Sequence, residues 1–216
     1  MTMEFSTNLF LFFFLPIALA GYYLLKESYR NIFLAFASCV FYYWGGRNTI
    51  LILALLILLN YAGGLLLTWA GQQRRLRMAV LTIFILVNLS ALFFYKYDSF
   101  ARLTINHIFG SDLAIRQIAL PLGISFFTFQ GLSYLIDLYR GQIEAQRNPF
   151  KLALYFLLFP KLLSGPIVRY KDIEAQLTSR QYSAEVFWGG AKRFIYGLAK
   201  KVLIANQLAL IVDPIF

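Results

Sequence analysis

The sequence has 216 residues, of which 60% are hydrophobic, 18% aromatic and 14% charged, and its formal net charge is +10. So few charges among so many apolar side chains exclude an ordinary soluble domain and predict a polytopic membrane protein. The basic residues separate apolar segments and form no patch interleaved with aromatic residues, which favours contacts with membrane lipids over nucleic acid. The single cysteine, Cys39, excludes an internal disulfide, and the single histidine, His107, has no ligand partners nearby, so no metal site is predicted.

Seven apolar segments are the candidate membrane helices of one domain, residues 1–216. Three of them contain no charged residue and have 18 to 21 residues, which is long enough to cross a hydrocarbon core. These three are Phe5–Leu25, Thr49–Trp69 and Met78–Tyr95. The other four are Asn31–Trp44, Ile118–Leu138, Phe150–Leu163 and Phe194–Ile211. Two of these four, Asn31–Trp44 and Phe150–Leu163, are short for a straight crossing, so they are tilted, re-entrant or buried in protein.

The lysines and arginines of the loops predict the orientation of the chain in the membrane. If Asn31–Trp44 crosses, eight basic residues share one side and four share the other. This bias makes the first side cytoplasmic and the N-terminus external. The eight are Lys26, Arg30, Arg74, Arg75, Arg77, Arg140, Arg147 and Lys151, and the four are Arg47, Lys96, Arg102 and Arg116.

The last segment carries a basic arc. Lys192, Arg193, Tyr196 and Lys200 fall on one side of a helical wheel, while the apolar residues lie elsewhere. Such a helix lies in the membrane interface or forms the wall of a cavity, and both alternatives stay open.

A polar face runs through an otherwise apolar stretch at residues 120–141, LPLGISFFTFQGLSYLIDLYRG. A carboxylate facing lipid would cost at least about 2.5 kcal/mol, so this face packs on other helices or lines a cavity. Pro121 is expected near the start of the helix, and an expected ion pair of Asp137 with Arg140 would offset part of the cost of the carboxylate. The residues that cluster around Gln130 on a helical wheel are Gly123, Ser133, Tyr134, Asp137 and Gly141.

A second constellation is the broken stretch FPKLLSGPIVRY at residues 159–170. Two prolines and a glycine interrupt any regular helix, and free backbone groups at membrane depth must be buried or line a cavity. Lys161 and Arg169 bracket the break and are either snorkelling cations of a turn or ligands of an anionic group. Asn60, in the motif NYAGG, predicts a close helix–helix contact. His107 is placed in an interfacial loop.

Five motifs in this order resemble the membrane-bound O-acyltransferase family, most of all its bacterial, alginate O-acetylase-like branch. The motifs are FYYWGG, NYAGG, LPLGISFFTFQGLSYLIDLYRG, FPKLLSGPIVRY and GGAKRFIYGLAKKVLIAN.

The resemblance implies an all-α, polytopic transmembrane helical bundle around a tunnel, in the bacterial inner membrane. It implies transfer of an acyl group from a cytoplasmic thioester donor, acetyl-CoA or similar, which is a substrate rather than a bound cofactor. The acceptor would be an exported polysaccharide such as alginate, reached with a periplasmic acyltransferase partner. The residues that the resemblance assigns to the tunnel wall and its cytoplasmic mouth, for positioning and charge, are Gln130, Asp137, Lys161, Ser164 and Arg169.

The resemblance also implies a missing part. The family's histidine base lies in a later helix, in a stretch that would follow Phe216, so we expect no catalytic residue in this chain. The expectation is an incomplete bundle and an inactive portion of the enzyme. Two alternatives stay open, a transporter with broken helices around a midplane site and a non-catalytic membrane scaffold.

Overall fold

The computed structural model describes residues 5–46, 49–115, 118–162, 166–180 and 183–212, and these residues form helices and no strands. The chain is an all-α membrane protein, as predicted. The helices are α1 (Leu15–Leu24), α2 (Glu27–Gly46), α3 (Ile50–Trp69), α4 (Arg74–Phe109), α5 (Ile124–Tyr139), α6 (Pro149–Leu157), α7 (Phe159–Leu162), α8 (Tyr170–Thr178), α9 (Ala184–Lys200) and α10 (Asn206–Val212).

Three helical stretches of the described residues are long and apolar enough to cross a membrane, namely α3, α4 and the 29-residue stretch Ala184–Val212. The first matches the predicted segment to within one residue. The second has 36 residues and extends the prediction at both ends. It includes His107, so the loop placement of that residue is wrong. No proline or glycine interrupts this helix before Gly110, whose φ of 63° ends it.

The first two predicted segments form helices whose lengths differ from the prediction, since the first is shorter and the second is longer. A π-helical turn, Phe10–Phe14, leads into α1, and together they make an apolar helix shorter than a typical span. Helix α2 has 20 residues and runs through the whole of the motif FYYWGG. Its Phe41 and Tyr42 are buried in the protein, so only Tyr43 and Trp44 are exposed as an aromatic belt would be.

Helices α3, α4 and α5 pack tightly because small residues let them approach. A Cβ on Gly63 would lie 2.8 Å from the Phe84 ring on α4, and one on Gly64 would lie 2.9 Å from the Tyr134 hydroxyl on α5. Asn60, in the same motif, bonds to an amide on α4. The predicted close contact at NYAGG is therefore confirmed.

Helix α5 is shorter than the predicted Ile118–Leu138, with 16 residues. Gly123 adopts a left-handed conformation, φ 73°, and helix geometry begins only after it. Pro121 therefore lies just before the helix, near its start, and its carbonyl accepts from Ile124 N at 3.1 Å. The helix ends in a Schellman motif, in which Gly141 (φ 70°) donates to Leu138 O.

Helix α6 is buried in protein, which decides between the alternatives left open for Phe150–Leu163. Leu152, Leu154, Tyr155 and Phe156 are all within the core. The chain turns after α6 ends at Leu157, and the short α7 follows. Pro160, the second residue of α7, has no N–H with which to extend the hydrogen bonding of α6. A helix that is mostly buried in protein has no need to match the thickness of the bilayer.

The predicted set of eight basic residues lies near one end of the bundle. Arg77 at the start of α4 donates to the carbonyl groups that end α5. Asn31 at the start of α2 donates to Leu177 O (2.8 Å), and Lys151 at the start of α6 contacts the Thr178 hydroxyl (3.2 Å). The structure thus agrees with the predicted grouping, and the assignment of that end to the cytoplasm stays a prediction.

The last helical stretch has none of its described residues buried. It is longer than the predicted Phe194–Ile211. It presents the basic arc of Lys192, Arg193 and Lys200 on an exposed helix. Interface helix and cavity wall both stay predictions for it.

Candidate functional site

The polar face of α5 points into the protein, as predicted. Gln130 is 5% exposed and Asp137 is 2% exposed. The Gln130 side chain donates through Nε2 to the backbone carbonyl of Tyr155 at 3.0 Å, which ties α5 to the buried helix α6. Tyr134 lies on the same face and is also fully buried. For Gln130 the structure favours the helix-packing alternative over a cavity lining.

Three buried tyrosines from α5, α6 and α8 form the centre of the site. The Tyr170 ring meets Tyr134 and Tyr155 edge-to-face, with centroid distances of 5.3 and 5.1 Å. Their hydroxyls are all hydrogen-bonded, since Tyr155 donates to Val168 O (2.9 Å) and Gln146 bonds to the other two. Buried tyrosines of this kind add packing and keep their polar ends satisfied.

Gln146, in the connection between α5 and α6, holds two of the tyrosines. Its backbone N donates to the Tyr134 hydroxyl (3.1 Å), and its Nε2 donates to the Tyr170 hydroxyl (2.7 Å). Burial raises the pKa of Tyr170, which lies at the start of α8 outside the candidate spans. That hydroxyl therefore stays neutral at ordinary pH, and its oxygen accepts the hydrogen bond from the Gln146 amide.

Lys161 reaches into this cluster. Its Nζ lies 3.7 Å from the centroid of the Tyr155 ring. The ammonium is buried and has no hydrogen-bond partner among the described residues. A cation–π contact is worth about 2 kcal/mol when desolvated, which is less than the several kcal/mol that burying an ammonium costs. A positive charge on Lys161 would thus be left mostly uncompensated inside the protein.

Asp137 is the second buried ionisable group. Its Oδ2 is buried without a hydrogen-bond partner among the described residues. The expected ion pair with Arg140 is wrong, because Arg140 is the exposed C-cap of α5 and points away from the buried face. Intramembrane ionisable groups without compensation are expensive and mark functional sites.

The structure separates the two cations that bracket the broken stretch. Lys161 faces the interior, whereas Arg169 is exposed at the N-cap of α8. Ser164, the remaining residue of the predicted set, lies outside the described residues. The structure therefore brings Gln130 and Lys161 together around Tyr155 and leaves Arg169 on the surface.

Sequence reasoning missed Tyr155, Tyr170 and Gln146. One signal was present, because a tyrosine inside the apolar run LALYFLLF needs a partner for its hydroxyl. The other two lie in a connection and at a helix start, where no periodicity marks them.

Comparison with known proteins adds to this geometry. The probable alginate O-acetylase AlgI of Pseudomonas aeruginosa is 40% identical over 218 residues, which cover 99% of this chain and 42% of the relative. The protein of the same name from Azotobacter vinelandii is 39% identical, with 99% and 44% covered. The chain is homologous to the alginate O-acetylases over nearly its whole length.

More distant relatives have related names. The peptidoglycan O-acetyltransferase of Helicobacter pylori is 31% identical, covering 97% of this chain and 46% of the relative. The teichoic acid D-alanyltransferase of Bacillus subtilis is 32% identical over 91 residues, which cover 40% of this chain and 23% of the relative. The predicted resemblance to the membrane-bound O-acyltransferase family is thereby confirmed.

The chain spans less than half the length of these relatives. No family model and no solved structure matches it.

Proposed function

We propose that these residues form part of the tunnel wall of a membrane O-acyltransferase that acts on an exported polymer. The observation that carries this is the two buried ionisable groups, of which Asp137 Oδ2 and Lys161 Nζ have no hydrogen-bond partner among the described residues. A bundle built only for packing would replace them with apolar side chains, which is often neutral or stabilising. The names of the relatives support the reaction class, since each specifies acyl transfer to a polymer.

In this proposal the acceptor hydroxyl attacks the carbonyl carbon of a thioester donor, acetyl-CoA or similar. The new C–O bond forms, the hydroxyl proton goes to a base, the C–S bond breaks, and the sulfur leaves as a thiolate that takes the proton back from the base. Lys161 supplies positive charge to the anionic oxygen or to an anionic part of the donor, as a positioning group. Gln130 and the tyrosines hold α5, α6 and α8 in place around it.

We assign no proton transfer to His107. It lies in the last turn of α4, where it is exposed, and the buried cluster lies elsewhere in the bundle. A general base must reach the hydroxyl that it deprotonates. The proposal therefore takes the base from outside the described cluster. It also includes a multi-pass placement in the bacterial inner membrane, alginate or a similar acceptor, and a periplasmic acyltransferase partner.

A chimera tests the proposal. Residues 1–216 replace the matched region of the Pseudomonas aeruginosa relative, in a strain that lacks its own O-acetylase. The measurement is the acetyl-ester content of the secreted alginate, with membrane insertion checked by immunoblot. We expect the chimera to restore acetylation. A chimera that inserts at normal yield and transfers nothing would contradict the proposal, and substrate flux in proteoliposomes would favour the transporter instead.

Two matched variants of the chimera test the buried carboxylate. Asp137→Asn keeps the shape and removes the charge, so we expect acetylation to fall at least about tenfold without loss of membrane yield. Asp112→Asn removes an equal charge from an exposed residue after α4 and should leave acetylation unchanged. Full activity of Asp137→Asn would remove the carboxylate from the proposed function.

A further inference from the structure

A cavity with two arginines lies at the end of the bundle where α3 and α5 end and α4 begins. Its volume is about 430 Å³, and Arg77, Arg147, Glu144, Thr68 and Gly141 are among the residues that line it. This volume falls within the range of small-molecule sites. None of its lining residues belongs to the buried tyrosine cluster, although Arg147 follows Gln146 in the chain.

Arg77 is held rigidly with donors to spare. Its Nη2 donates to Leu138 O at 3.0 Å and to Tyr139 O at 2.9 Å, and its guanidinium lies 5.5 Å from the centroid of the Tyr139 ring. Its Nε is buried and has no hydrogen-bond partner among the described residues. A buried donor without an acceptor is unfavourable, so a bound oxygen that reached it would be stabilising.

The charges of the lining are not neutralised within the protein. Arg147 and Glu144 are both exposed, and among the described residues neither forms an ion pair. Two arginines and one glutamate leave one net positive charge on the lining (2 − 1 = +1). One positive charge matches the single negative charge of a phosphodiester. Guanidinium groups also suit phosphate because they present paired donors in one plane.

The position of the cavity suits a membrane surface. Trp69, the last residue of α3, is 76% exposed at this end, as aromatic residues are at the level of lipid headgroups. Arg74, Arg75 and Arg140 are exposed around the same helix ends. Basic pockets between helix ends are typical sites for phosphate-bearing lipid headgroups.

We infer that this cavity binds a phosphate group, supplied by the headgroup of a membrane phospholipid, between Arg77 and Arg147. The inference does not rest on the proposed acyl transfer. Arg77 provides the fixed donor, and Arg147 closes over the phosphate from the connection between α5 and α6. A bound headgroup would therefore join the start of α4 to that connection.

Lipid titration of the purified full chain in detergent, followed by native mass spectrometry, measures the binding directly. We expect phosphatidylglycerol to bind and diacylglycerol, which has no phosphate, to bind at least about tenfold more weakly. Arg147→Gln should weaken phosphatidylglycerol binding about tenfold. The matched control Arg140→Gln removes the same charge from the same end, outside the cavity, and should leave the affinity unchanged.

Competition by inorganic phosphate distinguishes the two sources of the ligand. If inorganic phosphate displaces the lipid, and Arg147→Gln abolishes this displacement, the site also binds free phosphate. If inorganic phosphate does not displace the lipid, the phospholipid headgroup is the ligand. Glu144→Gln should tighten binding in either case, because it removes the one negative charge of the lining. Equal effects of Arg147→Gln and Arg140→Gln, or equal binding of diacylglycerol, would overturn the inference.

Discussion

Asn60 and Asn88 show how single polar residues are stabilised inside this bundle. Both are 0% exposed, and their side-chain amides bond to each other across α3 and α4 at 3.1 and 3.3 Å. Each amide also donates to a carbonyl one turn earlier in its own helix. Gly131 of α5 lies directly against this pair. The third helix can approach only because this residue has no side chain.

Gly131→Ala is expected to destabilise the protein. A Cβ at this position would lie 2.6 Å from both terminal atoms of the Asn60 amide, and the amide pair is enclosed by three helices. Overpacking of this kind costs about 1–3 kcal/mol in the free energy of unfolding. The measurement is reversible unfolding in mixed micelles, followed by circular dichroism.

Gly189→Ala is the matched control. This glycine is also helical, and a Cβ there would have nothing within 4 Å. The substitution should leave stability unchanged or raise it by up to about 1 kcal/mol through helix propensity. Equal stability losses in both variants would show that the amide pair does not set the helix spacing.

The sequence was sufficient to place Asn60, Gln130 and Asp137 in the interior, because lipid cannot solvate such groups. It could not supply their partners. The partner of Gln130 is a backbone carbonyl of α6, and a carbonyl leaves no mark in the sequence. The spacing of Asp137 and Arg140 predicted an ion pair between them. In the structure Asp137 faces the interior and Arg140 is exposed.

At the scale of elements, the ends of α5 decide how the site is assembled. Gly123 starts the helix in a left-handed conformation and brings it against the carbonyl of Leu162 in α7. Gly141 ends the helix, and Arg77 from α4 binds its last carbonyls. The length of α5 and its contacts with α4 and α7 therefore follow from two glycines and one arginine.

Hydropathy located α3 almost exactly but overextended α5 and underestimated α4. Apolar character continues through Ile118–Leu122, so nothing in the pattern reveals that the helix begins only after Gly123. Beyond Tyr95 polar residues end the apolar run, but the helix continues because this part of the sequence contains no proline or glycine before Gly110. Backbone conformation, rather than hydropathy, sets these boundaries.

Gly123→Ala is expected to be strongly destabilising. An alanine there combines an unfavourable φ of 73° with a Cβ 2.7 Å from the Leu162 carbonyl oxygen. The strain of a left-handed residue alone is about 1–2 kcal/mol. The clash adds to it, because the atom it meets belongs to a backbone.

Gly110→Ala separates the two effects. Its φ is 63°, and a Cβ would have nothing within 4 Å, so only the backbone strain applies. Unfolding free energies measured on both variants should show the larger loss for Gly123→Ala. Equal losses would mean that α7 yields to the new side chain and that this contact does not fix α5.

At the scale of the whole molecule, the bundle has a basic end. The starts of α2, α4 and α6 and the end of α5 meet there, and they carry the eight lysines and arginines of the predicted cytoplasmic side. The positions of the basic residues in the sequence predicted this grouping on the condition that Asn31–Trp44 crosses, because basic residues flank membrane helices in a biased way. The structure adds that some of these cations are structural, since Arg77 holds the end of α5.

Cysteine labelling tests which side this end faces. In a Cys39→Ser background, a single cysteine is placed at Gln73, which is exposed in the connection between α3 and α4. We expect no labelling by a membrane-impermeant maleimide in intact cells and full labelling after permeabilisation. A cysteine in place of exposed Asp112, beyond the other end of α4, should label in intact cells. Labelling at Gln73 in intact cells would reverse the orientation.

The central claim is that the bundle keeps buried charge for acyl transfer, and Lys161 tests it most directly. Lys161→Met keeps a long flexible side chain over the Tyr155 ring and removes only the charge. Lys171→Met makes the same change at an exposed position of α8. Both variants are made in the chimera with the Pseudomonas aeruginosa relative, and the measurement is the acetyl-ester content of alginate per unit of inserted protein.

We predict that Lys161→Met loses at least about tenfold in acetylation while its thermal stability is unchanged or raised, because an uncompensated buried charge has been removed. Lys171→Met should match the parent chimera in both measurements. Full acetylation by Lys161→Met would contradict the claim, and the buried ammonium would then have no part in acyl transfer.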